Sequence, residues 1–261
     1  MPAKSLSVKN LLAELDSPSV QKERLDSTFP HARALFKEEL VKCRVNRRLF
    51  DRIKKALEIT TEAGFILNFF NRLKSKKHVA LSENPAKRQL ALKRYLAKIE
   101  VVRPIVEKLS SKARKHGLTA RLALHPLYLS SFHYFPTLVF SDPAGEVFWA
   151  RFEATGKSLT VNHIQGLKCR KGAGEVDNQK LARVRKALEG MGYKRLRDGL
   201  FRDLCRASTG RFEKVHYLNP SKDPSFQIEP DLFYALARRQ KMKRTKTKIT
   251  KELPKPRRRK G

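Results

Sequence analysis

The sequence predicts an α+β chain: a helical N-terminal half, an antiparallel meander sheet covered by helices, and a disordered basic C-terminal tail. Three observations carry this expectation. Apolar residues recur at spacings of three and four up to about residue 118. From residue 119 they alternate in short runs separated by tight turn signals. From residue 238 onward Lys and Arg dominate. The expected regions are therefore 1–118, 119–237 and 238–261.

The helical half begins with Leu11, Leu12 and Leu15 on one face. Phe36, Leu40, Cys43 and Val45 then lead into Leu49, Phe50, Ile53 and Leu57 at near-helical spacing. Phe65, Ile66, Phe69, Phe70 and Leu73 form another stripe, closed by Arg72, Lys74, Lys76 and Lys77, which suit a helix C-terminus. Asn84-Pro85 opens a further helix, a polar cap followed by proline in the first turn. Its apolar positions are Leu92, Leu96, Ile99 and Val102, Pro104 is a candidate kink, and His116-Gly117 ends it.

Strands follow. Thr119 to Ser131 alternates, and Phe135 to Phe140 is a second short strand. Asp142-Pro143-Ala144-Gly145 is a turn. Glu146 to Ala154 places Phe148, Ala150 and Phe152 on one face and Trp149, Arg151 and Glu153 on the other. After Thr155-Gly156-Lys157 comes Ser158 to Ile164, with Leu159, Val161 and His163 on one parity. Such short connections imply antiparallel pairing. Asp177 or Asn178 caps the next helix, with Leu181, Val184, Leu188 and Met191 inward and Lys180, Arg183, Arg185 and Lys186 outward. Gly190 and Gly192 stop it. Leu196, Leu200, Phe201 and Leu204 mark another helix, Arg211 to Leu218 a last strand, and Glu229 to Arg239 a closing helix.

Composition narrows the function classes. The chain has 261 residues, 58 Lys+Arg against 25 Asp+Glu, and a formal net charge of +33. An apolar content of 40% with 15 Phe supports a packed core, which excludes a wholly disordered chain. No run of about 18 apolar residues is present to span a membrane. Met1 to Asp16 lacks the apolar stretch of a secretory signal, so none is expected. Cys43, Cys169 and Cys205 form no C-x-x-C pair, and the histidines form no H-x-x-x-H pair, so no metal site is expected. The sparse cysteines point to a reducing compartment. The expected place is the cytoplasm, with a peripheral position at the inner membrane as the variant. The excess charge points to an anionic partner, nucleic acid or an anionic lipid surface.

The best candidate site is the loop at 165–174, which follows a strand and precedes a helix. It holds Gln165, Gly166, Lys168, Arg170, Lys171, Gly172 and Gly174. Glycines let backbone N–H groups converge on an anion, and a helix start adds partial positive charge. A flexible basic loop without a ligand is the plain alternative. Lys194, Arg195 and Arg197 form a second basic cluster that extends the site or faces water. The tail 238–261 carries a net +12, leaving +21 on the rest. Its candidate phosphate contacts are Lys241, Lys243, Arg244, Arg257, Arg258 and Arg259. Paired acids, a G-x-S-x-G elbow and reader motifs for nucleic acid are not found.

The segment Cys169-Arg170-Lys171-Gly172-Ala173-Gly174 resembles the acyl-CoA pyrophosphate loop of the GNAT acetyltransferases, Gln/Arg-x-x-Gly-x-Gly/Ala after a central strand. Both glycine positions match. Cys169 stands at the first position, and Glu175 and Asp177 follow. The resemblance implies a GNAT-like sheet splayed around an acyl-CoA slot, with a carboxylate or His163 as general base. Acyl-CoA is expected only under that alternative, and otherwise no cofactor.

The stretch from about Lys87 to Tyr234 also resembles the VirK/YbjX family of bacterial proteins. Leu122-Ala123-Leu124, Thr137-Leu138-Val139-Phe140-Ser141 and Leu159-Thr160-Val161-Asn162-His163-Ile164-Gln165-Gly166 follow that family's order of strands. Ala187 to Lys194 and Pro230-Asp231-Leu232-Phe233 fall where it has further signatures. The firmest match is Ile164-Gln165-Gly166. This resemblance implies a bacterial protein tied to virulence or envelope stress, without a settled reaction. Binding of an anionic partner is thus the first expectation and GNAT-like acyl transfer the second.

Overall fold

The computed structural model describes residues 42–60, 84–123, 137–167, 169, 176–218, 230–244 and 248–254. The chain divides into two compact units. One is 1–103 with 122–134, and the other is 104–121 with 135–261. The division falls inside a helix, not at the expected 118/119 boundary.

In the first unit, helix α1 is Arg47–Leu57. The Asn46 side chain caps it by accepting the Leu49 N–H at 2.9 Å. Leu49, Phe50, Ile53, Ala56 and Leu57 are buried, the spacing of one helical face. Helix α2, Pro85–Arg114, starts as expected: Asn84 accepts the N–H groups of Ala86 and Lys87. Leu92, Leu96, Ile99 and Val102 are buried within this unit. Arg52 of α1 joins α2 through both carboxylate oxygens of Glu100, at 2.7 and 2.9 Å. Pro104 lies inside α2, which continues through it. The candidate helices of residues 11–40 and 65–77 lie outside the described residues.

The second unit is built on a seven-stranded sheet in the order β1-β2-β3-β4-β5-β7-β6. The strands are β1 Thr119–Ala123, β2 Thr137–Asp142, β3 Gly145–Thr155, β4 Ser158–Gly166, β5 Lys214–Leu218, β6 Lys243–Arg244 and β7 Lys248–Glu252. Its helices are α3 Asn178–Gly190, α4 Leu196–Ser208 and α5 Pro230–Arg239, together with the end of α2. The α+β class therefore stands. The meander holds for β2-β3-β4, which pair antiparallel. The sheet as a whole is mixed, because β4 and β5 run parallel. That follows from the connection: α3 and α4 lie between these two strands, and a helical crossover returns the chain in the same direction.

One face of this sheet is apolar. Cross-strand partners share a face, so Leu138 with Ala150, Phe140 with Phe148, Phe152 with Val161, and Val161 with Tyr217 define it. These residues are buried, and helix α4 packs beside them: Phe201 meets Tyr217 edge-on at 5.7 Å between ring centroids. Asp203 of α4 is 5% exposed and is held by the Tyr193 hydroxyl at 2.7 Å and Lys112 Nζ at 2.5 Å. Gly199 is required here, since a Cβ would run into the Tyr193 ring.

The expected disordered tail is corrected over part of its length: Lys243–Arg244 and Lys248–Glu252 add two strands to the sheet, so Arg211 to Leu218 does not hold the last one. Strand β7 pairs antiparallel with β5, Val215 opposite Lys251 and Tyr217 opposite Ile249. Ile249 is fully buried and Leu253 nearly so. The physical reason is that Ile249, Leu253 and the alternation around them outweigh the flanking charge. In the strand the cations point along the polar face or the edge. Lys241, with φ 50°, closes α5 as the Met242 N–H donates back to the Ala237 carbonyl. Residues 255–261 lie outside the described residues.

Candidate functional site

Strand β4 changes character halfway along. Ser158 to Val161 pairs with β3 on one side and β5 on the other. The β4–β5 register ends at Val161 opposite Tyr217. From Asn162 to Gly166, β4 keeps only β3 among the described strands.

The same point carries a bulge. Arg151 pairs with His163, but the next residue, Phe152, pairs with Val161, so Asn162 is an extra residue on β4. One extra residue moves every later side chain to the opposite face. His163 therefore lies on the polar face with Trp149, Arg151 and Gln165, not on the apolar parity of Leu159 and Val161. Ile164 takes the apolar position opposite Ala150.

His163 is 8% exposed, and its Nε2 lies 2.6 Å from Gln165 Oε1. An amide oxygen only accepts, so Nε2 is the donor in this contact. Tyr217 of β5 is buried. Its pKa is pushed up to about 12, chiefly by loss of water, against a backbone hydrogen bond from Ile164 and the nearby charge of Arg197. The tyrosine hydroxyl thus takes an N–H of β4 beyond the end of the β4–β5 register.

The predicted residues fall into three groups. Gln165 and Gly166 end β4 and are half-buried. A Cβ built on Gly166 would lie 3.4 Å from Leu196 Cδ2, so the start of α4 sits against the end of β4. Arg197, one residue on, lies close enough to Tyr217 for its charge to act on the hydroxyl. Lys194 and Arg195 are exposed and Arg197 is half-buried. Lys168, Arg170, Lys171, Gly172 and Gly174 lie outside the described residues. The two ends of their loop are tied, because the Asp177 N–H donates to the Cys169 carbonyl at 2.7 Å. The Asp177 side chain caps α3 on Lys180 N–H at 3.1 Å.

Of the tail residues, Lys241 and Lys243 are exposed and Arg244 lies in β6, while Arg257, Arg258 and Arg259 are outside the described residues.

Arg183, expected on the outer face of its helix, turns inward instead. It clamps Asp142 at 2.7 and 2.9 Å and reaches the Gly145 carbonyl at 3.1 Å. This holds α3 on the β2–β3 turn. The guanidinium keeps the Asp142 carboxyl below the usual carboxylate range.

Sequence reasoning missed the His163–Gln165 pair as a polar-face feature, the bulge at Asn162, and Tyr217. A signal was present. Apolar residues at 159 and 161 are followed by one at 164, a break in the alternation that a bulge explains.

No group of three or more potential metal ligands occurs among the described residues. No described helix is long and apolar enough to cross a membrane. Compared with known families and with curated proteins, the chain matches no family model and no individual protein.

Proposed function

We propose that this chain is an acyltransferase of the GNAT kind, in which the anionic partner implied by its charge includes the phosphates of acyl-CoA. The observation that carries this reading is the parallel β4–β5 pair that stops at Val161 and Tyr217, with a bulge at Asn162, in a sheet ordered β1-β2-β3-β4-β5-β7-β6. An extended thioester arm needs such a gap between strands. Its phosphates need cations and glycines such as those of the sequence at 168–174, and Lys194 and Arg195 add exposed charge. Cys169 at the first loop position and the Asp177 cap on α3 depart from the GNAT pattern, which gives the cations a larger share of phosphate binding here.

His163 is the general base of this reading. The attacking amine or hydroxyl gives its proton to the imidazole as its lone pair forms the bond to the acyl carbon. The C–S bond breaks and the thiolate leaves. Gln165 fixes the ring through its amide oxygen.

The test is thermal unfolding with and without acetyl-CoA. Ligand at 100 times its Kd stabilises a protein by about 2.7 kcal/mol, a rise of several degrees in Tm. The rise should shrink in Lys194→Glu/Arg195→Glu. No shift at millimolar acetyl-CoA overturns the reading.

A second reading is a binder of nucleic acid or anionic lipid similar to VirK-type proteins. Its support is the surplus of exposed cations without acidic partners among the described residues, such as Lys194 and Arg195. The absorbance ratio at 260 and 280 nm before and after a high-salt wash tests it. Truncation to probe the tail must begin at residue 255, because Lys248–Glu252 is a sheet strand.

A further inference from the structure

A second basic feature lies in the helical unit. Helices α1 and α2 flank an open cleft of about 520 Å³ lined by Asn46, Arg48, Leu49, Arg52, Lys93 and Glu100. Three of these six are cations. The single carboxylate is already engaged, since Glu100 holds the Arg52 guanidinium through both oxygens. Arg52 also donates to the Lys93 carbonyl at 3.4 Å, which ties the α2 backbone to this clamp. Arg48 and Lys93 are exposed and have no carboxylate partner among the described residues. They stand on different helices, so the fold places two uncompensated charges on one concavity. In a chain of net charge +33 such charges repel each other unless an anion lies between them.

We propose that this cleft binds a phosphodiester backbone, seating one phosphate between Arg48 and Lys93. This deepens the reading of the chain as a binder of anionic partners by naming a place and a ligand chemistry. A nucleic-acid strand fits better than a lipid surface for two reasons. The charges line a concavity, which admits a strand and not a flat bilayer. The described helices also lack an exposed apolar stripe for insertion into lipid: the apolar face of α1 and that of α2 are buried, leaving only Leu90 and Val101 exposed on α2. Arg52, engaged by Glu100, carries less of the free charge of the cleft than Arg48 and Lys93.

The test is fluorescence anisotropy of the full chain with a labelled single-stranded RNA of about 20 nucleotides, across a salt series. DNA of the same sequence and phosphatidylserine vesicles are the other arms. Arg48→Glu/Lys93→Glu should weaken RNA binding about tenfold or more and lower the salt slope by roughly 0.7, the value for one phosphate. Arg114→Glu/Lys115→Glu, an equal change of net charge at exposed positions of the other unit, should cost much less. Glu100→Gln supplies the opposite sign: it releases Arg52 and should tighten binding by about two- to threefold. Should the glutamate pair unfold the chain, Arg48→Gln/Lys93→Gln replaces it, with half the expected loss.

Equal losses in the two charge-reversed pairs overturn the site and leave only a general field. Tight RNA binding untouched by Arg48→Glu/Lys93→Glu overturns the site while sparing the anionic-partner reading. No binding of RNA or DNA overturns the proposal, and vesicle binding alone assigns the charge to lipid.

Discussion

The two halves of strand β4 are one continuous stretch of nine residues with different duties. Ser158 to Val161 lies between two paired neighbours, and its apolar side chains Leu159 and Val161 are fully buried. Asn162 to Gly166 has β3 alone among the described strands, and it presents His163 and Gln165 on the polar face. The first half secures the position of the second. A strand held on both sides resists displacement, so the doubly paired half fixes the backbone that carries the imidazole beyond the bulge.

Removing that residue is the strongest way to break the difference. Deletion of Asn162 restores strict alternation, turning His163 toward the apolar face and Ile164 toward the polar one. We expect loss of the cooperative melt, or a Tm lower by more than 10 °C, measured by circular dichroism; an unchanged melt would show that the bulge is incidental.

Next in size is Leu159→Ala in the doubly paired half. A fully buried leucine truncated to alanine costs about 2–5 kcal/mol, read as a lower urea midpoint at constant slope. Against it stands His163→Ala in the other half, where a cost of roughly 1 kcal/mol is expected together, on the proposed reading, with loss of acyl transfer. If the histidine substitution proves as destabilising as the leucine one, the division of labour along β4 fails.

The Arg183–Asp142 clamp sharpens the comparison through pH. Partial exposure limits its worth to about 1 kcal/mol. Asp142 has a lowered pKa in the folded chain, so the stabilisation is complete above the unfolded carboxylate value near 4 and is lost as pH falls through the folded value. Stability of the parent and of Arg183→Gln should therefore converge in acid and differ at neutral pH. A difference that persists at pH 2 would assign the effect to packing.

Tyr217→Phe should have the smallest effect. It removes the acceptor for one backbone N–H of β4, at about 1 kcal/mol, and leaves that donor open to a ligand. Weaker acetyl-CoA binding in this variant would mean that the hydroxyl belongs to the binding surface.

Much of the fold was legible. Asn84-Pro85 and Asp177 each mark a helix start through a side chain that satisfies an otherwise open N–H, and local chemistry of that kind is written in adjacent residues. The Asp142 to Gly145 turn and the Thr155 to Lys157 turn likewise forced the meander. The tail was misread because its charge is a local property, while the burial of Ile249 against Tyr217 depends on a partner 32 positions away in the register. The site was half legible for the same reason. Gln165, Gly166 and the basic cluster were visible as residue types, but the bulge that reverses His163 exists only in the pairing with β3.

The sequence by itself determined the class of the fold, the helix starts, the meander and the large positive charge, because capping, periodicity and composition act over a few residues. Tertiary structure alone decided that β4 and β5 run parallel and part after Val161. It also decided that His163 faces the polar side, that Arg183 is spent on Asp142, and that the tail closes the sheet. Each of these depends on which distant segment supplies the hydrogen-bond or charge partner, and such a choice is settled only when the competing partners meet in space.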